Sequence, residues 1–179
     1  LNGFLVSYVS EACAKITIML TDVDGVLTDG QLQFDNDGVE SKQFHVRDGL
    51  GIRLWQRAGH KFGIVTGRKS KLVERRAAEL DIGIVRQGDD DKLGQTKRIA
   101  RELGVELEAI CYIGDDLPDL PAIRAVGLGV AVEDAAAEVR AAADHVTRMA
   151  GGQGALREII EMILRSTDRW DGLVSRYVT

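Results

Sequence analysis

The chain has 179 residues, 45% of them apolar and 28% charged, with a net charge of −5; that is ordinary for one globular domain with a real core. The acidic balance argues against a general nucleic-acid or anionic-membrane binder, so any phosphate site must be locally basic. No apolar stretch reaches membrane-span length, residues 1–14 lack the basic start and long apolar core of a signal peptide, and Cys13 and Cys111 are too few for a disulfide framework, so the sequence predicts a cytoplasmic protein with two reduced thiols.

Residues 1–14 read either as a short amphipathic lead-in helix or as a frayed end. Ile16 to Leu20 is a short, bounded, nearly continuous apolar run. That pattern suits a strand buried on both faces in a parallel sheet. It ends in Asp22-Val-Asp24-Gly25. Side chains two apart on an extended chain project to the same side. Two carboxylates held together repel unless a cation or a shared proton intervenes.

Residues 31–46 read as a β-hairpin. Leu32 and Phe34 alternate with polar residues, as do Phe44 and Val46, around the turn Asp35-Asn36-Asp37-Gly38. A helix is expected from Asp48, as N-cap, to Ala58, closed by Gly59. Lys61 to Thr66 is a second strand, Gly67-Arg68 a turn, and Ser70 to Leu80 a basic amphipathic helix. Ile82 to Arg86 is a third strand, followed by an acidic turn, Asp89 to Asp91, read as solvated. Lys92 to Leu103 is helical and Gly104 closes it. Ala109 to Ile113 is a fourth strand ending in Gly114-Asp115-Asp116, with a short helix to Ala125. Gly127 to Val132 is a fifth strand, Asp134 to Ala142 a helix, His145-Val146 an edge strand, and Gly154 to Leu164 the last clear helix. The tail, residues 165–179, is polar with scattered apolar residues.

Strands alternating with helices predict an α/β fold, a Rossmann-like open parallel sheet with helices on both faces, plus the hairpin after the first strand. There is no room for a cap domain, and residues 1–179 read as one domain. In such a sheet the loops at the strands' carboxyl ends share one edge, where ligands bind. Four of those loops carry unusual chemistry: Asp22-x-Asp24, Thr66-Gly67-Arg68, Lys92 after the third strand, and Gly114-Asp115-Asp116.

The order of these loops, led by Asp-Val-Asp-Gly-Val-Leu-Thr-Asp-Gly from Asp22 to Gly30, resembles the four motifs of the haloacid dehalogenase superfamily over residues 16–160. Its first motif and Gly151-Gly-Gln-Gly-Ala-Leu-Arg-Glu158 look like the capless sugar-acid phosphatases. The resemblance implies a Mg²⁺-dependent phosphatase acting through an aspartyl-phosphate. Asp22 would be the nucleophile. Asp24 would protonate the leaving oxygen and then activate water. Thr66 and Lys92 would bind the transferring phosphoryl group. Asp22, Asp115 and the main-chain carbonyl of Asp24 would hold Mg²⁺, while Asp116 and Asp119 would orient Lys92 or metal-bound waters.

The resemblance further implies a small-molecule substrate, a sugar acid phosphate with a carboxylate that Arg forks suit. Gly67 and Arg68, with Arg47, Arg75 and Arg76, are the candidate substrate contacts. Arg68 after Thr-Gly resembles the eight-carbon type; a nine-carbon acid, a broad-specificity phosphatase and a non-catalytic oligomerisation module stay open as alternatives. No nucleic acid or membrane partner is expected. A homotetramer assembled through the hairpin, with the site near subunit interfaces, is implied. So is a tail reaching a neighbour's site through Arg169 or Arg176, and a place in surface-polysaccharide precursor synthesis. His45, on the hairpin, is a minor candidate for the site; His60 and His145 lack metal-ligand spacing.

Overall fold

The computed structural model describes residues 11–178; the expected lead-in over residues 1–14 falls mostly outside them, with residues 11–15 helical. The sheet is built on β1 (Ile18–Thr21), whose four residues are all buried. Around it run β4 (Lys61–Thr66), β5 (Ile84–Gln87), β6 (Ile110–Gly114), β7 (Leu128–Ala131) and β8 (His145–Val146). The six strands are parallel in the order β5-β4-β1-β6-β7-β8. Met19 stands between Phe62 and Cys111, so apolar side chains fill both faces of the centre. Burial on both faces is why these strands are continuous apolar runs rather than alternating ones.

Helices α1 (Val46–Arg57), α2 (Lys71–Glu79), α3 (Lys92–Leu103), α4 (Leu120–Ile123), α5 (Ala137–Ala142) and α6 (Ala155–Ser166) connect and flank the strands. α1 packs on α6, while α3 packs on α4 and α4 on α5. The right-handed rule for crossovers moving outward from β1 in both directions puts α1 and α3 to α5 on opposite faces, and α6, after the last strand, returns to pack on α1. The chain order reverses beside β1, and the crevice at that reversal is where open α/β sheets bind ligands.

The hairpin differs from expectation in extent. Pairing is confined to β2 (Gln33–Phe34) and β3 (Glu40–Ser41), antiparallel. Its turn is as expected: the Asp35 carboxylate accepts from the N–H groups of Asp37 at 2.9 Å and Val39 at 2.8 Å. The expected second strand stops short because Val46 already belongs to α1. The N-cap of that helix is His45, whose Nδ1 accepts from the N–H of Arg47, not Asp48. Asp48 is buried in the first turn and accepts from the N–H of Arg157 at 2.8 Å. It caps α6, whose own N-cap, Gly154, has no side chain to offer.

The tail is more ordered than its polarity suggests. α7 (Trp170–Val174) buries Trp170, with the guanidiniums of Arg157 and Arg165 over its ring at 4.9 and 5.0 Å. Arg169 donates to the carbonyl of Ala58, and Arg57 donates to the Tyr177 hydroxyl. The tail therefore lies on its own chain at the amino-end edge of β4, opposite the edge where the four loops meet.

Candidate active site

The loop after β1 is set by the ladder it leaves. The N–H of Asp22 still bonds the carbonyl of Ile113 at 3.0 Å, and the chain then coils, so that the Val23 carbonyl accepts from the N–H groups of Val26, Leu27 and Thr28. Gly25 makes this possible with φ +92°, and a Cβ there would lie 2.0 Å from Asp115 Oδ2. The glycine thus admits both the turn and the close approach of the loop after β6. From behind, Gly151 lies so near that a Cβ would stand 1.8 Å from the Gly25 carbonyl. That contact explains the glycine-rich segment before α6: it braces the acidic loop.

Lys92 is delivered by the acidic turn. Asp91 caps α3 by accepting from the N–H of Gly94 at 2.9 Å, and Lys92 is the first helical residue, buried. Asp89 is tied to Gln95 and Arg98. Asp90 lines the cleft. The turn is exposed at Asp90 and Asp91, as the sequence led one to expect, and it also has a structural role in seating Lys92. Lys92 Nζ stands 2.5 Å from Asp22 Oδ2 and 2.7 Å from Asp119 Oδ1. Asp119, fully buried, also accepts from the Tyr112 hydroxyl at 2.8 Å and from the N–H groups of Asp115 and Asp116 at 3.0 and 3.3 Å. It thereby folds the loop after β6 into place. Asp116 caps the short turn at Leu117.

Asp22, Asp115 and Asp119 each offer a carboxylate oxygen within 4.8 Å of the others. Burial, and then the charges of Asp119 and Asp22, push the Asp115 carboxyl up to about 8. Burial and Asp119 push Asp22 up to about 6 against the pull of Lys92. Burial works against the Lys92 ammonium, but Asp22 and Asp119 outweigh it and raise its pKa. One lysine is thus too little positive charge for three carboxylates. Asp115 Oδ1 is buried without a hydrogen-bond partner. An all-oxygen donor set with an orphaned oxygen suits a hard divalent cation.

Asp24 points away from that cluster. Its Oδ1 meets the ammonium of Lys42, and its Oδ2 lies 3.4 Å from Arg68. Glu40 of β3 accepts from Arg68 at 2.7 Å and from the Ser70 hydroxyl at 3.0 Å. Burial pushes the Glu40 carboxyl up, but Ser70, Arg68 and Lys42 together hold it below its ordinary value. Lys42 and Glu40 were not among the expected site residues. A signal was present: Glu40, Lys42 and Phe44 share a face at period two, and Phe44 packs on the core.

Asp22, Asp24, Thr66, Gly67, Arg68, Lys92 and Asp115 thus line one cleft of about 320 Å³. Three expected substrate contacts do not reach it within this chain. Arg47 is exposed in the first turn of α1 and borders a larger concavity, about 500 Å³, along α6. Arg75 is exposed on α2. Arg76 turns toward α1, pairing with Glu79 at 2.9 Å and lying over the Phe44 ring. Helical spacing carries both arginines away from the Arg68 loop. His45 is occupied as a helix cap. That larger concavity holds none of the clustered carboxylates, so the chemistry belongs to the smaller cleft.

A family model of haloacid dehalogenase-like hydrolases matches residues 82–159. The 3-deoxy-D-manno-octulosonate 8-phosphate phosphatase of Escherichia coli K12 is 44% identical over 157 residues, 88% of this chain and 84% of that protein. The chain belongs to the haloacid dehalogenase-like hydrolases. Among solved structures, this hydrolase is similar to the 3-deoxy-D-manno-octulosonate 8-phosphate phosphatase of Moraxella catarrhalis, in complex with magnesium ion, phosphate ion and KDO. The TM-score is 0.93 and the identity 41%, over 94% of this chain and 97% of that one. It is also similar to the cobalt-bound enzyme of Haemophilus influenzae, with TM-score 0.85 and 43% identity, over 88% and 92% of the two chains. No helix among the described residues of this hydrolase is long and apolar enough to cross a membrane.

Proposed function

We propose that this chain is a Mg²⁺-dependent phosphatase that hydrolyses 3-deoxy-D-manno-octulosonate 8-phosphate to the free sugar acid and phosphate through an aspartyl-phosphate. The observation that carries the reading is Lys92, seated between Asp22 and Asp119 beside the unpartnered Asp115 oxygen. The substrate comes from the relatives, which carry that activity in their names.

In this reading Asp22 attacks phosphorus while the bond to the sugar oxygen breaks. Asp24 gives that oxygen its proton, then takes one from the water that attacks the aspartyl-phosphate and frees phosphate. Lys92 offsets charge on the phosphoryl oxygens, and the Thr66 hydroxyl hydrogen-bonds them. Asp22, Asp115 and the Asp24 main-chain carbonyl would hold Mg²⁺, which supplies charge neutralisation at the phosphoryl group. Arg68, already beside Asp24, faces the leaving group and suits its carboxylate.

The reading treats the chain as one hydrolase domain. It also takes the molecule as a homotetramer, supported by the exposed Leu32, Phe34, Val39 and Val46 at and beside the hairpin. Two buried free thiols suit a reducing cytoplasm.

The test is phosphate release from eight- and nine-carbon sugar acid phosphates and ordinary hexose and pentose phosphates, with Mg²⁺, beside Asp22→Asn. Preference for the eight-carbon acid, falling by about 10³-fold or more in the mutant, is expected for loss of a nucleophile. Even, weak release from all substrates would remove the substrate assignment. No Mg²⁺-dependent release would remove the phosphatase.

A further inference from the structure

The hairpin brings two charged side chains, Glu40 and Lys42, against Asp24 and Arg68 at the side of the cleft, and no step above uses them. Lys42 follows β3 directly and is almost wholly buried, its side chain 2% exposed. A buried ammonium is costly unless paired. Lys42 is paired twice: with Asp24 Oδ1, and with Glu40 at 3.6 Å. Glu40 in turn holds Arg68, and Arg68 reaches Asp24 Oδ2. Asp24, Lys42, Glu40 and Arg68 close a ring of alternating charge across three separate segments of chain.

Such a ring would serve as a clip for the hairpin wherever it lay. This one closes on the carboxylate beside Asp22, and its two cations take different oxygens. Arg68 lines the cleft that holds Asp22, Lys92 and Asp115. Lys42 instead lines a neighbouring chamber of about 340 Å³, with Thr28, Gln31, Gln33 and Gln43. Oδ1 of Asp24 is therefore held on the hairpin side. Oδ2, with only the longer contact to Arg68, is left on the cleft side.

We propose that Lys42 is a positioning residue for the reaction. By holding Oδ1 it fixes the Asp24 carboxylate so that Oδ2 meets the leaving sugar oxygen, and Glu40 keeps Lys42 and Arg68 in register. The inference rests on the proposed phosphatase reading of Asp24. Its chemical content is one proton: Asp24 Oδ2 passes it to the sugar oxygen as the phosphorus–oxygen bond breaks, and the attacking water returns it to the same atom. Misplacing that atom harms the step in proportion to how badly the leaving group needs the proton.

Leaving-group dependence therefore tests it. Wild type, Lys42→Met and Lys42→Arg are compared with Mg²⁺ on the sugar acid phosphate and on p-nitrophenyl phosphate. A sugar alkoxide leaves poorly without a proton, whereas p-nitrophenolate leaves as a stable anion. Lys42→Met is expected to lower kcat on the sugar substrate about ten- to a hundredfold more than on the aryl ester, with KM little changed, and Lys42→Arg to recover part of the difference. The ratio of the two rates is internal to one preparation, so partial unfolding cancels from it. If the methionine variant does not accumulate, Lys42→Gln gives the same ratio. An unchanged ratio with Asp22-dependent activity intact in wild type overturns the role of Lys42 and leaves the phosphatase standing. Absence of Mg²⁺-dependent release in wild type overturns both.

Discussion

Three carboxylates sharing one lysine set the behaviour of the site at the residue scale. Asp115, raised to about 8, and Asp22, raised to about 6, hold protons in the metal-free fold that the unfolded chain has lost above about pH 4. The sign follows directly. Their contribution to stability is full below the unfolded pKa and is lost as pH rises through 6 and then 8. A cation at the site must displace the same protons, so Mg²⁺ affinity should rise with pH up to about 8 and flatten above it. Calorimetry near pH 7 in two buffers of different ionisation enthalpy should show net proton release on Mg²⁺ binding. Metal binding with no proton release would mean the carboxylates are already ionised in the metal-free protein. The positions of Asp22, Thr66, Lys92 and Asp115 were legible because each closes or follows a strand or opens a helix, places that sequence punctuation marks, whereas the period-two spacing that put Asp24 on the same side as Asp22 did not foresee its turn toward Lys42 and Arg68. Lys42 was not legible. Its partner, Asp24, lies 18 residues away, and a lysine after a turn reads as solvated unless the face it shares with Glu40 and Phe44 is followed through.

At the scale of elements, the start of α1 shows how far local rules reach. An aspartate preceding an apolar periodic run is an N-cap by its local pattern, yet Asp48 sits inside the helix and gives its carboxylate to the N–H of Arg157 on α6. Burial raises its pKa, and the hydrogen bond from Arg157 opposes that. Sequence spacing predicts caps within an element; it is blind to a cap supplied by a neighbouring one. Asp48→Ala should strip α6 of the side-chain cap that Asp48 supplies at that end and leave the N–H of Arg157 unpaired. The expected loss is about 1–2 kcal/mol of unfolding free energy, read from denaturant midpoints. Because Gly151 and Gly154 sit between the start of α6 and the Asp22 loop, part of that loosening should also reach kcat. A variant as stable as wild type would show that Gly154 and water satisfy the helix end unaided.

For the molecule as a whole, the parallel sheet explains why residues scattered from 22 to 115 meet: strands that all run the same way deliver every carboxyl-end loop to one edge. That much followed from the alternation of strands and helices. The hairpin obeys a different logic. Two residue pairs cannot hold it in water alone, and its polar side is used up on Asp24, Arg68 and Ser70. Its apolar side, Leu32 and Phe34 at 55% exposure and Val39 at 61%, faces outward with Val46 at 79%. A copy of the same hairpin is the simplest surface to cover that side, since identical patches meet in closed symmetric assemblies. Placing a charge there, as in Phe34→Asp, should split the proposed tetramer, and sedimentation would show a species smaller than wild type; a wild type that is already a monomer would remove the tetramer. The same variant should lose activity although Phe34 is not among the residues that line the cleft, because the hairpin of the proposed assembly also carries Glu40 and Lys42. Adding wild-type concentrations of protein should not rescue it, whereas activity that stays intact in a dissociated variant would mean the ring around Asp24 holds the hairpin without help from a second copy.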